Sequence, residues 1–181
     1  MMFYTNLNLF SGILLVTSLF SFNNSNEMGR FSALVSGFCS DLNNHSLTDT
    51  TYDVSGTIIP EGPPTSPPSR IDAGTDCIVD LVQLYQITGS LTGKMKLDYR
   101  IIVHGPCGSP AGTYNEEWIA FGDFSGFHGE KSVTSRLSYT ATVTHQGMVN
   151  GTITLGQGMS GTLTIRGQFN EGKLAYQGTI R

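Results

Sequence analysis

The sequence predicts an all-β fold: a single antiparallel barrel of about eight strands joined by hairpins, preceded by a signal-like or disordered amino-terminal segment. Three observations carry that prediction. From Tyr52 onward apolar residues recur at every second position, the period of a strand with one buried and one wetted face. Only 13% of the 181 residues are charged, against about 25% in an ordinary globular domain, while 22 are glycine. No segment after residue 50 keeps a helical period for three turns, and parallel strands would be apolar on both faces.

The chain divides into three parts at residues 1–29, 30–50 and 51–181. The first contains one charge, Glu27, and a fourteen-residue apolar run from Leu9 to Phe22. That is short of the roughly 20 residues a membrane span needs and matches the core of an export signal. No Lys or Arg precedes it, however, and no small-x-small cleavage site follows. The expectation is a secreted or extracytoplasmic protein with no stable membrane span, or a cytoplasmic one if translation starts at Met28. Residues 30–50 read as a polar lead-in.

The first strand is expected at 51–60. Five of the seven prolines then fall within nine residues, from Pro60 to Pro68, and no strand interior tolerates that, so a long surface loop is expected. Strands at 77–90 and 94–104 follow. Between Leu91 and His104 one face carries Leu, Gly, Met, Leu, Tyr, Ile and Val, and the other is mostly Thr, Lys, Asp and Arg. Further strands are expected at 114–125, 132–144, 148–155, 161–169 and 173–181.

Paired strands must turn their apolar faces to the same side, which tests each hairpin. Setting Val143 opposite Val149 leaves His145-Gln146-Gly147 as a three-residue loop whose last position wants a left-handed glycine. A turn at Leu91-Thr92-Gly93 sets Ile87 opposite Leu97, Tyr85 opposite Tyr99 and Leu81 opposite Val103. In the last hairpin Gly167 falls opposite Tyr176. Glycines in the inward register, Gly151, Gly167 and Gly178, favour tight coiling and closure over a sandwich. Eight closed strands enclose a lumen that side chains fill or that holds one small ligand.

Ten basic against fourteen acidic residues give a net charge of −4 and a pI near 5.4. That argues against nucleic acid or an anionic membrane as partner, both of which select clustered Lys and Arg. The register that sets Tyr85 opposite Tyr99 also sets Cys77 opposite Cys107, with Cβ atoms about 4.5–5.5 Å apart. A disulfide needs about 3.5–4.5 Å, so the two either close into a bridge, in keeping with export, or remain half-buried thiols in a reducing cytoplasm. Cys39 is left over, and no lipobox precedes it.

The strings EEWIAFGDFSG (Glu116 to Gly126), GPCG (Gly105 to Gly108) and VNGTITLGQGMSGTLTIRGQF resemble uncharacterised prokaryotic proteins of the allene oxide cyclase barrel type. That lipocalin-like superfamily also contains the plant dirigent proteins. The resemblance covers roughly residues 51–181 and implies an eight-stranded barrel with a lumen. The plant cyclase acts without a cofactor on a reactive lipid epoxide. The resemblance carries over the fold and the lumen, and no catalytic residue.

Candidate chemistry is sparse. Glu116 and Glu117 are adjacent, so a strand points them to opposite faces and they cannot act as an acid–base pair. If Trp118 faces inward, so does Glu116, where its carboxyl could protonate or orient a ligand near the barrel mouth; otherwise it sits at a solvated strand end. Gln83, Tyr85, Tyr99, Trp118, Tyr139 and Tyr176 make a candidate binding set, since tyrosines offer apolar area with hydroxyl handles. The plainer role for the same rings is core filling. GQGMSG (Gly156 to Gly161) matches a nucleotide-binding glycine pattern but is followed by a strand where a helix is required, so it belongs to a hairpin. His45, His104, His128 and His145 are scattered with no metal-ligand spacing, and no cofactor or metal is expected. Asn23, Asn44 and Asn150 open glycosylation sequons. Three functions fit: a lumen binding a small apolar or amphipathic molecule, a cofactor-free isomerase or cyclase, or a solid barrel serving as a structural or interaction module.

Overall fold

A computed structural model describes residues 50–110 and 112–181, so the expectations for the signal-like run, Cys39, His45, Asn23 and Asn44 lie outside the described residues. Nine strands follow in order: β1 (Tyr52–Pro60), β2 (Ser69–Ala73), β3 (Asp76–Gly89), β4 (Leu91–Val103), β5 (Glu116–His128), β6 (Lys131–Val143), β7 (Met148–Gly158), β8 (Gly161–Gln168) and β9 (Leu174–Ile180). Eight of them close into an antiparallel barrel in the order β1-β9-β8-β7-β6-β5-β4-β3, with β3 returning to β1. The ninth, β2, lies outside the closed ring along β3.

Alternation produces the core as expected. Leu91, Met95, Leu97 and Tyr99 of β4 are buried, while Thr92, Lys94, Lys96, Asp98 and Arg100 between them are exposed. Val149, Ile153, Leu163 and Ile165 fill the interior from β7 and β8. Each such side chain contributes roughly 1.5–3 kcal/mol by leaving water.

The β6–β7 hairpin has the expected register, Val143 opposite Val149, Tyr139 opposite Ile153 and Leu137 opposite Leu155. Gly147 takes the left-handed conformation at φ 79°. Two other hairpins differ from expectation. In β3–β4 the chain reverses around Ser90, so Tyr85 faces Met95, Leu81 faces Tyr99 and Cys77 faces Val103. The reason is Leu91. A turn at 91–93 would leave it in a loop, whereas here it starts β4 fully buried, and its N–H donates to Tyr176 Oη at 2.9 Å. In the last hairpin a 3₁₀ turn at Phe169–Glu171 ends in left-handed Gly172, and Tyr176 faces Ile165 instead of Gly167. Tyr176 covers a different glycine, Gly56 of β1, its register partner on the other side.

The proline-rich surface loop is present at 61–68, and two features of it were not expected, its attachment to the β3 edge and the strand β2 that follows. Beyond Pro60 the chain stays on the β3 edge: Glu61 N–H donates to Leu84 O at 2.8 Å, Thr65 N–H to Val82 O at 2.9 Å, and β2 then pairs from Ser69 opposite Asp80 to Ala73 opposite Asp76. Pro63, Pro64, Pro67 and Pro68 occupy the stretches between these bonds, where the missing N–H costs nothing.

The two ends of the barrel are unlike. At one end β3–β4, β5–β6 and β7–β8 are joined by one or two residues each, and buried Met159 sits in the last of these turns. At the other end lie all the long connections: 61–68, 104–115, 144–147 and 169–173. Among the described residues no helix is long and apolar enough to cross a membrane.

Candidate functional site

Three of the long connections, 61–68, 104–115 and 169–173, border a cavity of about 400 Å³ at the mouth of the barrel, partly open to solvent. Its inner wall comes from the inward register of β3, β4 and β5: Val79, Leu81, Gln83, Tyr85, Tyr99, Ile101, Val103, Glu116 and Trp118. Its rim comes from Pro60, Gly62, Pro64, Pro68 and Arg70 on one side and Pro106, Gly108, Ser109 and Pro110 on another, with Phe169 between barrel and solvent.

Glu116 and Trp118 both face inward, and Glu116 is only 8% exposed, so it is no solvated strand end. Trp118 Nε1 donates to Glu116 Oε2 at 2.7 Å. Both residues lie on β5, two positions apart on one face, which is what brings the indole N–H under the carboxylate. Glu117 points outward, 3.5 Å from His104 Nε2, and the other nitrogen of that exposed imidazole is 3.5 Å from Asp76.

Tyr85 and Tyr99 line the cavity, and their hydroxyls share a 2.8 Å hydrogen bond although the strands pair them with Met95 and Leu81. The two long side chains bridge the offset. Tyr99 stands edge-on to Trp118 and to Tyr139, with ring centroids 5.8 and 6.1 Å away, and Trp118 packs edge-on against Phe169 at 5.7 Å. Gln83 ties the proline segment to the wall: its Nε2 donates to Gly62 O at 3.1 Å and Leu84 O at 2.9 Å.

Of the six candidate binding residues, Gln83, Tyr85, Tyr99 and Trp118 reach the cavity. Tyr139 lies behind Tyr99 and Trp118, and Tyr176 is bonded to Leu91 beside the tight-turn end. The proline segment, the 106–110 stretch and Phe169 had no place in the expected site. One signal could have found the first two: joining Cys77 to Cys107 puts the chain on either side of both residues at one mouth. Cys77 and Cys107 do form a disulfide, with Cα atoms 4.9 Å apart. They reach it by another route than expected. Cys77 faces Val103, and the chain after Val103 folds back, Gly105 N–H donating to Val103 O at 2.8 Å, to return Cys107 to the strand.

Burial in apolar surroundings pushes the Tyr85 hydroxyl up to about 12, and it raises Tyr99, Tyr139 and Tyr176 as well. The hydrogen bond from Tyr99 opposes that rise at Tyr85 without cancelling it. In the unfolded chain these phenols ionise near 10. The folded state therefore holds their protons more tightly, and the stability they contribute is complete below pH 10 and lost above it. Unfolding free energy measured from pH 8 to 11.5 should stay level and then fall beyond pH 10; a level profile to pH 11.5 would contradict this burial.

The Tyr139 hydroxyl is the one buried side-chain polar atom among the described residues with no hydrogen-bond partner. An unsatisfied buried group costs about 1–3 kcal/mol. Tyr139→Phe should therefore stabilise the barrel by about 1 kcal/mol in denaturant titration, and a loss of that size would show that the hydroxyl is bonded in solution.

The fold and site together define a closed β-barrel with tight turns at one end and a ligand-sized, aromatic-walled mouth at the other. The chain matches no protein-family model and no curated protein.

Proposed function

We infer that the protein binds a small apolar or amphipathic molecule in the barrel mouth, as a barrel of the allene oxide cyclase type, and that it does so outside the cytoplasm. The observation that carries the reading is the cavity itself. Its volume of about 400 Å³ lies within the range of roughly 300–1,000 Å³ typical of ligand pockets, whereas a solid barrel would leave far less. Its wall has the make-up such pockets share, apolar and aromatic surface with a few convergent polar groups: Glu116, Gln83 and the Tyr85–Tyr99 pair. The disulfide supports an oxidising compartment.

N-phenyl-1-naphthylamine tests the reading, because it fluoresces on entering apolar sites and accepts energy from tryptophan. Trp118 is the sole tryptophan in the chain and stands in the wall. The dye should bind in the micromolar range and quench Trp118. Enlarging two wall residues, Val79→Phe with Ile101→Phe, should weaken binding at least tenfold while the variant still melts cooperatively. Equal binding by that variant would place the dye elsewhere and overturn the reading.

A further inference from the structure

We propose that the mouth cavity takes a cationic amphiphile, an organic ammonium whose charged head donates to Glu116 while its apolar tail lies along Leu81, Ile101 and Tyr99. The inference rests on the binding reading above and names the chemistry of the ligand's head.

The argument is an inventory of the cavity's polar groups. Glu116 is the only charged side chain among the buried described residues. A buried carboxylate is costly unless it is paired. Among the described residues its one hydrogen bond comes from the neutral indole of Trp118, to Oε2, which leaves Oε1 without a donor in a residue that lines the cavity. The buried side-chain donors that an anionic head would need are, among the described residues, already engaged. The Trp118 N–H is held by Glu116, and Gln83 Nε2 is held by two backbone carbonyls. The Tyr85 and Tyr99 hydroxyls bond to one another, which leaves one O–H between them. The only cationic side chain in the lining, among the described residues, is Arg70, on the outer strand β2, where it is exposed at the rim.

The cavity thus presents a buried carboxylate acceptor, while its buried side-chain donors are engaged and Arg70 stands at the exposed rim. Trp118, Tyr99, Tyr85 and Phe169 line the same cavity, and aromatic faces attract cations as well. An ammonium would meet both requirements at once, which an alcohol would meet in part and a carboxylate not at all.

The test compares octylammonium, octanol and octanoate on the full-length, non-reduced protein below their micellar concentrations, read by Trp118 fluorescence and calorimetry. Octylammonium should bind about tenfold more tightly than octanol, as a charge-assisted hydrogen bond adds, and octanoate least. Glu116→Gln keeps an acceptor for the Trp118 indole and removes the charge. It should bring octylammonium down to the affinity of octanol, leave octanol unchanged, and leave the melting temperature within a few degrees. Equal binding of ammonium and alcohol, or an octylammonium affinity untouched by Glu116→Gln, would overturn the proposal while the cavity reading stands. Preference for octanoate would do the same and move the head group to Arg70. Binding of none of the three would overturn the proposal together with the reading it rests on.

Discussion

Replacing both Cys77 and Cys107 with Ala should lower the unfolding free energy by about 3–4 kcal/mol. The bridge closes a loop of sequence separation 30, and cross-linking a loop of that size removes about that much chain entropy from the unfolded state. For a barrel of this length the melting temperature should drop by roughly 10 °C. Reductant should have the same effect on the unmodified protein and none on the double variant. The consequence also reaches the site, because the bridge anchors the connection that contributes Pro106, Gly108, Ser109 and Pro110 to the rim. Dye affinity should fall in the double variant even at temperatures where it is fully folded. A double variant as stable as the parent would show that the connection is held by other contacts.

Gly56→Ala should cost about 3 kcal/mol, at the upper end of what overpacking costs. A Cβ at this position would stand 1.9 Å from Thr88 O and 2.7 Å from the Tyr176 ring. Gly56 pairs with Gly89 on β3 and with Tyr176 on β9, so the strain falls on the seam that closes the barrel. Gly156→Ala is the control. Its Cβ would come no nearer than 3.5 Å to Arg136 O, and that substitution should stay within about 0.5 kcal/mol. Denaturant unfolding of the two variants side by side measures the contrast. Equal effects would mean that β1 does not close the ring as described.

The barrel was legible in the sequence because alternation fixes which residues face inward. Glu116 with Trp118, and the alternate residues of β3 and β4, face as parity requires. Parity cannot fix position along the barrel axis. The β3–β4 ladder differs from the expected register by an even step, so every side chain keeps its face while its partner changes. That is why Tyr85 and Tyr99 were placed inward correctly and opposite one another incorrectly. Tyr176 shows the same limit: it faces inward as expected, yet lies toward the tight-turn end against Leu91 and Gly56. The disulfide survived the wrong register because Cys107 lies beyond β4, where the chain is free to fold back.

The rim of the site was not legible for a different reason. Prolines remove ladder donors, and the 60–68 segment therefore reads as detached from the sheet. In the structure two hydrogen bonds and the strand β2 keep it on the β3 edge, where Pro60, Pro64 and Pro68 line the cavity. Phe169 reached the site through a 3₁₀ turn that alternation had read as the end of a strand.

The central claim, a cavity that holds a small molecule, is tested most directly by native mass spectrometry of the non-reduced protein purified from its own source. The account predicts a retained small-molecule mass that is absent from the Val79→Phe, Ile101→Phe variant prepared in the same way. A bare mass that takes up nothing from a lipid extract would contradict it, and the function would then belong to the outer surface of the barrel.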